Sequence, residues 1–580
     1  MNRYIIYLCL ALALFQFISC EKNYIQKDDE NKSEAEQSDN EGVNEDTDDY
    51  NWDSTTVVSV MLKDNSITVD TGYAFVTGNT VTIKSAATYN LSGSLTDGQI
   101  IVDTKDDGDV KLIFNSVNIT CSTSSPVYIS DAKKVIIGLA DNTVNSVKDA
   151  SSYQNLVDGE PNAAIFSKAD LSIFGNGSLT VEGNYNDGIS SKDGLIIKSG
   201  NITVSSIDDG IRGKDYLIVH DGNMNINAGG DGLKSDNDVN QDLGYISVYK
   251  GSFTITSGGD AIAAQTNIIL SDGVFDITSG GGSSKNISAF FSAKGIKGLE
   301  SVIINGVTFS INAADDALHS DNRIEIKGGS LSLSSADDGI HADVSIAISN
   351  CNVDIIKSYE GIESAGITIE NSNVGIVASD DGFNATQGSR TERNDNSCLT
   401  IQSGYIYVNS SGGDALDANG NIVINDGLVI AHGPLSEPEV GMDYNGTCKI
   451  TGGTVVISGI SSNMTQGPST SSSIYSVVVK FSSGLEANSI VHIQDSNGTG
   501  ILTFAPVRKY QSIIFASPKL VFGETYTIYT GGSCTGIPTN GYYSDGTYSG
   551  GSIYGNFTIT GIVTTVGSSS TGPGGGGPRP

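Results

Sequence analysis

A short phrase returns at a fixed interval along this chain, and the interval limits what the chain can fold into. Asp187-Gly188-Ile189, Asp209-Gly210-Ile211 and Asp231-Gly232-Leu233 are spaced by 22 residues. Asp316-Ala317-Leu318, Asp338-Gly339-Ile340 and Glu360-Gly361-Ile362 repeat that spacing, and Asp381-Gly382-Phe383 follows at 21. Asp260-Ala261-Ile262, Lys294-Gly295-Ile296 and Asp414-Ala415-Leu416 come after longer gaps, as loop insertions between repeats would. A unit this short cannot cover its own apolar face, so successive units have to stack.

Between these anchors the residues alternate as strands do. Leu195-Ile196-Ile197 and Ile202-Thr203-Val204 flank Ser199-Gly200-Asn201, and the next unit repeats this with Leu217-Ile218-Val219, Asp221-Gly222-Asn223 and Met224-Asn225-Ile226. Three short strands and three turns per unit predict an all-β fold: a parallel β-helix solenoid of about 22 residues per coil. The residue two after each anchor is apolar in every unit (Ile189, Ile211, Leu233, Ile262, Ile296, Leu318, Ile340, Ile362, Phe383, Leu416), which reads as an inward ladder. Gly or Ala between anchor and ladder fits a sharp corner or a close approach of neighbours. The solenoid is expected over 54–460, a small antiparallel β module over 461–567, and a loose Gly/Pro tail over 568–580.

The first residues read as an address. Arg3 precedes an apolar run from Tyr4 to Ile18 that is short for a membrane span, and Phe17-Ile18-Ser19-Cys20 resembles a bacterial lipobox. Residues 1–19 are therefore expected to be a lipoprotein signal peptide and Cys20 the lipidated residue. Cleavage as an ordinary signal peptide is the alternative. Both place the mature chain outside the cytoplasm, and the first anchors it to the outer membrane, surface or periplasmic face, through the lipid alone. Residues 20–53 hold 13 acidic residues and three Lys with few large apolar ones, the composition of a disordered, self-repelling tether. The five cysteines beyond the leader are scattered and show no metal-ligand spacing.

The stacked anchors pose an electrostatic problem. Units about 4.8 Å apart bring like carboxylates into a row, costing roughly 1 kcal/mol per pair even in water. Calcium, with oxygen ligands on opposite sides, fits the rise of one unit. Doubled acids add oxygens, and a further acid follows five residues on. The expected Ca²⁺ ligands are Asp187, Asp208, Asp209, Asp231, Asp236, Asp315, Asp316, Asp321, Asp337, Asp338, Asp343, Asp380 and Asp381. The plainer alternative is that Asp and Gly serve as corner residues, with carboxylates satisfying backbone amides.

Three residues after the anchors stands an outward column: Ser190, Arg212, Lys234, Ala263, Lys297, His319, His341, Glu363, Asn384 and Asp417, joined by Lys192 and Lys214. Lys192, Arg212, Lys214, Lys234, His319 and His341 are candidate glycan-binding residues for the carboxylates and hydroxyls of a linear acidic polymer. Neutralising the acid row internally is the competing use. A net charge of −34 excludes nucleic acid as a partner, because basic residues supply most of that affinity.

Several stretches resemble the bacterial carbohydrate-binding family built as a polysaccharide-lyase-like right-handed β-helix. They are Thr96-Asp97-Gly98-Gln99-Ile100-Ile101-Val102-Asp103, Pro161-Asn162-Ala163-Ala164-Ile165-Phe166-Ser167-Lys168, Asn184-Tyr185-Asn186-Asp187-Gly188-Ile189, Gly229-Gly230-Asp231-Gly232-Leu233-Lys234-Ser235-Asp236 and the C-terminal run from Gly523 to Gly532. The resemblance implies non-catalytic binding of cellulosic or acidic glycans with bound calcium, and no specific sugar contacts. No catalytic residue is assigned and a monomer is expected. One rival is a polysaccharide lyase for uronate-containing glycans, with Arg212 or Lys214 beside Asp208, Asp209 and Asp231, or His319 and His341 beside Asp316 and Asp338, as the catalytic set. Another is a surface adhesin or scaffold that projects the C-terminal module.

Overall fold

The computed structural model describes residues 43–70, 72–288, 290–388 and 393–567. The expected signal peptide, Cys20, the tether before residue 43 and the tail over 568–580 lie outside the described residues. Within them, regular structure is β-strand except for one short 3-10 turn, Thr47–Tyr50. Forty-six strands share one sheet that is mostly parallel.

From Ala163 to Ser320 each strand pairs with the third strand after it, giving three parallel ladders; in the next two units the anchor and middle strands run together as Ile340–Ser349 and Ile362–Glu370. The anchor ladder runs through Ala163–Ser167, Asp187–Ser191, Ile211–Gly213, Leu233–Ser235, Ile262–Ala264, Ile296–Gly298 and Leu318–Ser320, then the start of Ile340–Ser349. A middle ladder follows Asp170–Gly175, Gly194–Ile197, Tyr216–Val219, Tyr245–Val248 and Asn267–Leu270. A third follows Ser178–Gly183, Asn201–Ser206, Asn223–Ala228, Ser252–Ser257 and Val274–Ser279.

The apolar residues two after the anchors are register partners from Ile189 to Leu416, and each is 0% exposed. The third ladder supplies the facing row, in which Phe253 stacks on Phe275 at 4.5 Å and Phe309 meets Phe275 at 4.9 Å in a tilted contact. Each such side chain contributes about 1.5–3 kcal/mol on burial. The small residue after the anchor is explained by close approach: a Cβ on Gly210 would lie 2.6 Å from both the Gly232 carbonyl oxygen and Ile226. The sharp turn sits elsewhere, at glycines such as Gly222 with φ of 142° before the third strand.

Near residue 460 the pairing changes sense. Thr454–Gly459 pairs antiparallel with Tyr510–Ala516, which pairs antiparallel with Ser476–Leu485. Gly500–Phe504, Val491–Gln494, Thr525–Thr530 and Ser552–Thr558 form a separate four-stranded antiparallel sheet. Its core includes Ile430 and Val456 from the last parallel strands, so the module is packed onto the end of the ladders.

The tether reading needs correction at its end. Residues 43–52 lie across the middle ladder as a strap. Asp49, 2% exposed, pairs with the fully buried Lys134, and Glu45 receives Lys198 and His220, each at 3.0 Å. Asn44 donates to Asp170 at 2.8 Å, and Tyr50 and Trp52 rest on Phe174 with ring centroids 5.5 and 5.6 Å away. Acidic composition signals disorder only where no buried cation awaits it.

Candidate functional site

The anchor ladder carries its polar residues in register. Ser190, Arg212, Lys234, Ala263, Lys297, His319, His341, Glu363, Asn384 and Asp417 are successive partners, each one residue beyond the inward row. Strand alternation turns them away from the inward row, although Ser190 itself is buried. Asp187, Asp209, Asp316 and Asp338 are between 2% and 5% exposed.

Much of the expected repulsion is relieved by hydrogen bonds running along the axis. One carboxylate oxygen of Asp209 accepts the N–H of Asp231 at 3.0 Å, Asp231 accepts from Asp260 at 2.8 Å, and Asp260 from Lys294 at 2.7 Å. Asp316 accepts from Asp338 at 3.0 Å and Asp381 from Asp414 at 2.5 Å. Each bond satisfies a backbone donor of the next unit, the corner role weighed above, and leaves a second oxygen facing the +3 row. A charge-assisted bond of this kind contributes about 1.5–3 kcal/mol.

The basic residues meet those second oxygens. Lys234 lies 3.1 Å from Asp209 and 2.9 Å from Asp231, bridging two units. Lys294, standing where other units have an acid, reaches Asp315 at 2.9 Å and Asp316 at 2.6 Å, while Lys297 lies 3.8 Å from Asp260. Arg212 forks onto Asp236, with Nε 3.0 and 3.1 Å from its oxygens and Nη2 2.9 Å. Lys192 meets Glu160 at 2.7 Å, beside Lys168 at 2.9 Å. Lys214 is half-buried and acts on Asp193 through its charge. His319 joins Asp316 at 2.8 Å to Asp321 at 3.0 Å, and His341 lies 3.4 Å from Asp338 and 3.5 Å from Asp343. Asp321 and Asp343 thus flank imidazoles on the outer side, away from the anchors. The forked pair engages the Arg212 guanidinium on Asp236, so it is poorly placed to act as a base toward a ligand.

Compensation is uneven. Burial pushes Asp316 up, but the His319 hydrogen bond and Lys294 outweigh it and hold the carboxyl below the usual range. Burial, with Asp209, pushes Asp187 up to about 7; burial, offset in part by Lys234, leaves Asp209 at about 6. Further along, burial and the neighbouring acids take Asp338 well above the usual value, Glu360 to about 8, Asp381 to about 10 and Asp414 to about 9. Asp380 is half-buried beside Asp381.

Groups able to share a cation follow from this geometry. Oxygens of Asp187, Asp208 and Asp209 lie within 4.8 Å of one another, as do those of Asp315, Asp316 and Asp337, and of Asp414, Asp417 and Asp443. The last set was missed because Asp443 stands far from any anchor in sequence. Around the first, Glu160, Asn162, Asn186, Asp187, Asp208 and Arg212 line a polar cleft of about 330 Å³. Also missed was the outer face of the third ladder, where Thr203, Asn225 and Thr254 and the neighbouring Asn201, Asn223 and Ser252 stand in exposed rows. The alternation of small polar residues in each third strand is the signal that carries it.

Residues 77–339 match a family model described as carbohydrate-binding domain-containing protein. A carbohydrate-binding domain-containing protein of Acetivibrio thermocellus is 44% identical over 128 residues, 22% of this chain and 45% of that one. The chain therefore spans under half the length of this relative. A solved structure titled as the polysaccharide lyase-like protein from C. thermocellum, a gadolinium derivative, is 34% identical, with 39% of this chain and 92% of that chain covered and a TM-score of 0.38. Over residues 77–339, the stretch that holds the anchors from Asp187 to Asp338, this chain is thus similar to carbohydrate-binding domain-containing proteins.

Proposed function

We propose that the protein is an extracytoplasmic, lipid-anchored monomer that binds polysaccharide without cleaving it, along the outer side of the anchor ladder. The three ladders wind as a right-handed parallel β-helix, the hand nearly all parallel crossovers take. The observation that carries the binding reading is the register-matched row of polar side chains, repeated unit after unit, within a stretch similar to carbohydrate-binding domains. A regularly repeating polymer can make the same contact at each step, so many weak contacts add along one rigid ligand.

An acidic glycan suits Lys192, Arg212, Lys214 and Lys234, whose charges lie on the outer edge of the acid row, with His319 and His341 beyond. Ca²⁺ suits the all-oxygen sets, Asp187 with Asp208 and Asp209, and Asp414 with Asp417 and Asp443: hard cations take carboxylates, and Asp187, Asp209 and Asp414 are buried beside like charges. Bound there, the ion supplies positive charge to a ligand carboxylate; the chain's own residues orient the polymer and hold the row straight.

The test is retention on immobilised polygalacturonate and cellulose. Arg212→Ala with Lys234→Ala weakens retention on the acidic polymer while the protein stays folded; unchanged retention reduces these residues to charge compensation. Release of unsaturated, ultraviolet-absorbing products from polygalacturonate would replace the binding reading with a lyase.

A further inference from the structure

Two imidazoles follow the Lys and Arg side chains that compensate the first half of the row. His319 and His341 are register partners on adjacent units, with ring centroids 5.1 Å apart at 82°. His319 Nδ1 lies 2.8 Å from Asp316 Oδ2, and His341 Nδ1 lies 3.9 Å from that same oxygen and 3.4 Å from Asp338 Oδ2. One donor atom each from Asp316, His319 and His341 falls within 4.8 Å of the others, and a second set, Asp338, His341 and Glu363, shares His341. Donors bonded to one zinc-sized ion at about 2.0–2.1 Å stand roughly 3–3.5 Å apart. The 3.4 and 3.9 Å separations are close to that range and are longer than ordinary hydrogen bonds.

The buried partner supplies an independent reason to expect a cation. Asp338 is 5% exposed and its carboxylate faces His341 at 3.4 Å, with Asp316, Asp337, Glu360 and Glu363 all acting on it as like charges. A hydrogen bond or full cation would ordinarily offset such burial. Calcium fits this set poorly because two of its donors are nitrogen, whereas imidazole with carboxylate is the donor set of zinc, copper, nickel and ferrous iron. The side chains of His319 and His341 are 13% and 26% exposed, so the remaining coordination positions face outward.

We propose that Asp316, His319 and His341 form a binding site for an imidazole-preferring divalent metal ion of the zinc class, with Asp338 as the adjoining carboxylate. The site goes beyond the polysaccharide reading and does not depend on it. The experiment uses full-length, metal-stripped protein titrated calorimetrically with Zn²⁺ alone and with Ca²⁺ alone, and with Co²⁺ as a visible-absorption probe. The expected result is stoichiometric Zn²⁺ uptake and nitrogen-ligated Co²⁺ bands. In His319→Gln with His341→Gln, affinity falls by at least about a hundredfold, the upper end of what losing an outer partner of a ligand costs, while Ca²⁺ uptake is unchanged. A second readout needs no variant: in the wild-type chain Zn²⁺, but not Ca²⁺, protects His319 and His341 from diethyl pyrocarbonate, read by peptide mass. Absent Zn²⁺ uptake, uptake insensitive to the double variant in folded protein, or equal protection by Ca²⁺ would overturn the proposal. Failure of glycan retention would leave it standing.

Discussion

Replacing Lys134 by Met tests whether the strap is held by its buried ion pair. Lys134 and Asp49 have side-chain exposures of 0% and 2%, so the ammonium is the charge that makes burial of the Asp49 carboxylate tolerable. Removing one partner of a buried pair costs about 3–5 kcal/mol when the other stays buried. Asp49 keeps the Asp46 N–H at 2.8 Å, which recovers part of that. The strap has a cheaper response, since it can lift and return Asp49 to water without unfolding the ladders. The penalty therefore falls on the docking equilibrium, with every 1.4 kcal/mol a factor of ten, and the open population rises roughly a hundredfold or more. Trp52 is the chain's single tryptophan and sits 5.6 Å from Phe174, so its emission reports docking directly. The variant should show red-shifted Trp52 emission and faster hydrogen exchange over 44–52, with the main thermal transition little changed. Lys134→Met combined with Asp49→Leu should restore both. Wild-type emission and exchange in the single variant would refute the reasoning.

Chelating calcium from the holo protein should lower the thermal midpoint and glycan retention together; a loss of neither would reject metal bridging of the acid row. Burial and neighbouring acids raise Glu360 to about 8, Asp414 to about 9 and Asp381 to about 10, far above the roughly 4 of an unfolded carboxylate. In metal-free protein these three groups bind protons the unfolded chain has released, so the stability they contribute is fully present below about pH 4 and is lost as pH rises through about 8 to 10; a melting midpoint that rises between about pH 7 and 10 would contradict the assignment. Asp209→Asn keeps an oxygen for the Asp231 N–H but loses the charge facing Lys234, whereas Asp209→Ala loses both. Chemical denaturation should rank Ala below Asn by about 1 kcal/mol or more. Ile211→Ala opens a cavity in the fully buried row and should cost about 2–5 kcal/mol, read by the same method.

The period made the rows legible. Because each unit contributes one residue to each row, knowing that Ile189 and Ile211 are 22 apart was enough to pair them, and Arg212 with Lys234 beside them. The identity of each acid's partner was not legible, since it depends on side-chain reach across units. Lys234 spans Asp209 and Asp231, and Lys294 occupies an acid's place and neutralises Asp315 and Asp316 of the following unit. Nor could the strap be read, because Asp49 finds Lys134 85 residues further along the chain and only folding brings the two together. The axial hydrogen bonds from carboxylate to backbone were foreseen only as an alternative to metal, yet one oxygen can serve the backbone while the other serves a cation.

That division of labour accounts for the asymmetry along the molecule. From Asp209 to Asp316 the free oxygens meet Lys234, Lys297, Lys294 or His319, so this part of the row is neutralised from within. From Asp338 onward the +3 positions become His341, Glu363, Asn384 and Asp417. The backbone bonds continue there, with Asp381 accepting from Asp414, but the side chains opposite now add negative charge or none. Those backbone bonds hold the units in register on both halves, so the fold does not require the cation side chains to continue. An acidic polymer approaching the first half meets charges already paired, and must compete for Arg212 and Lys234 against Asp236, Asp209 and Asp231. On the second half the row offers Glu363, Asn384 and Asp417 in place of Lys and Arg, so an acidic polymer is drawn there only where a divalent ion intervenes. Binding of an acidic glycan along the whole ladder is therefore tied to metal on the C-terminal side and to ion-pair exchange on the N-terminal side, and salt should weaken the second far more than the first.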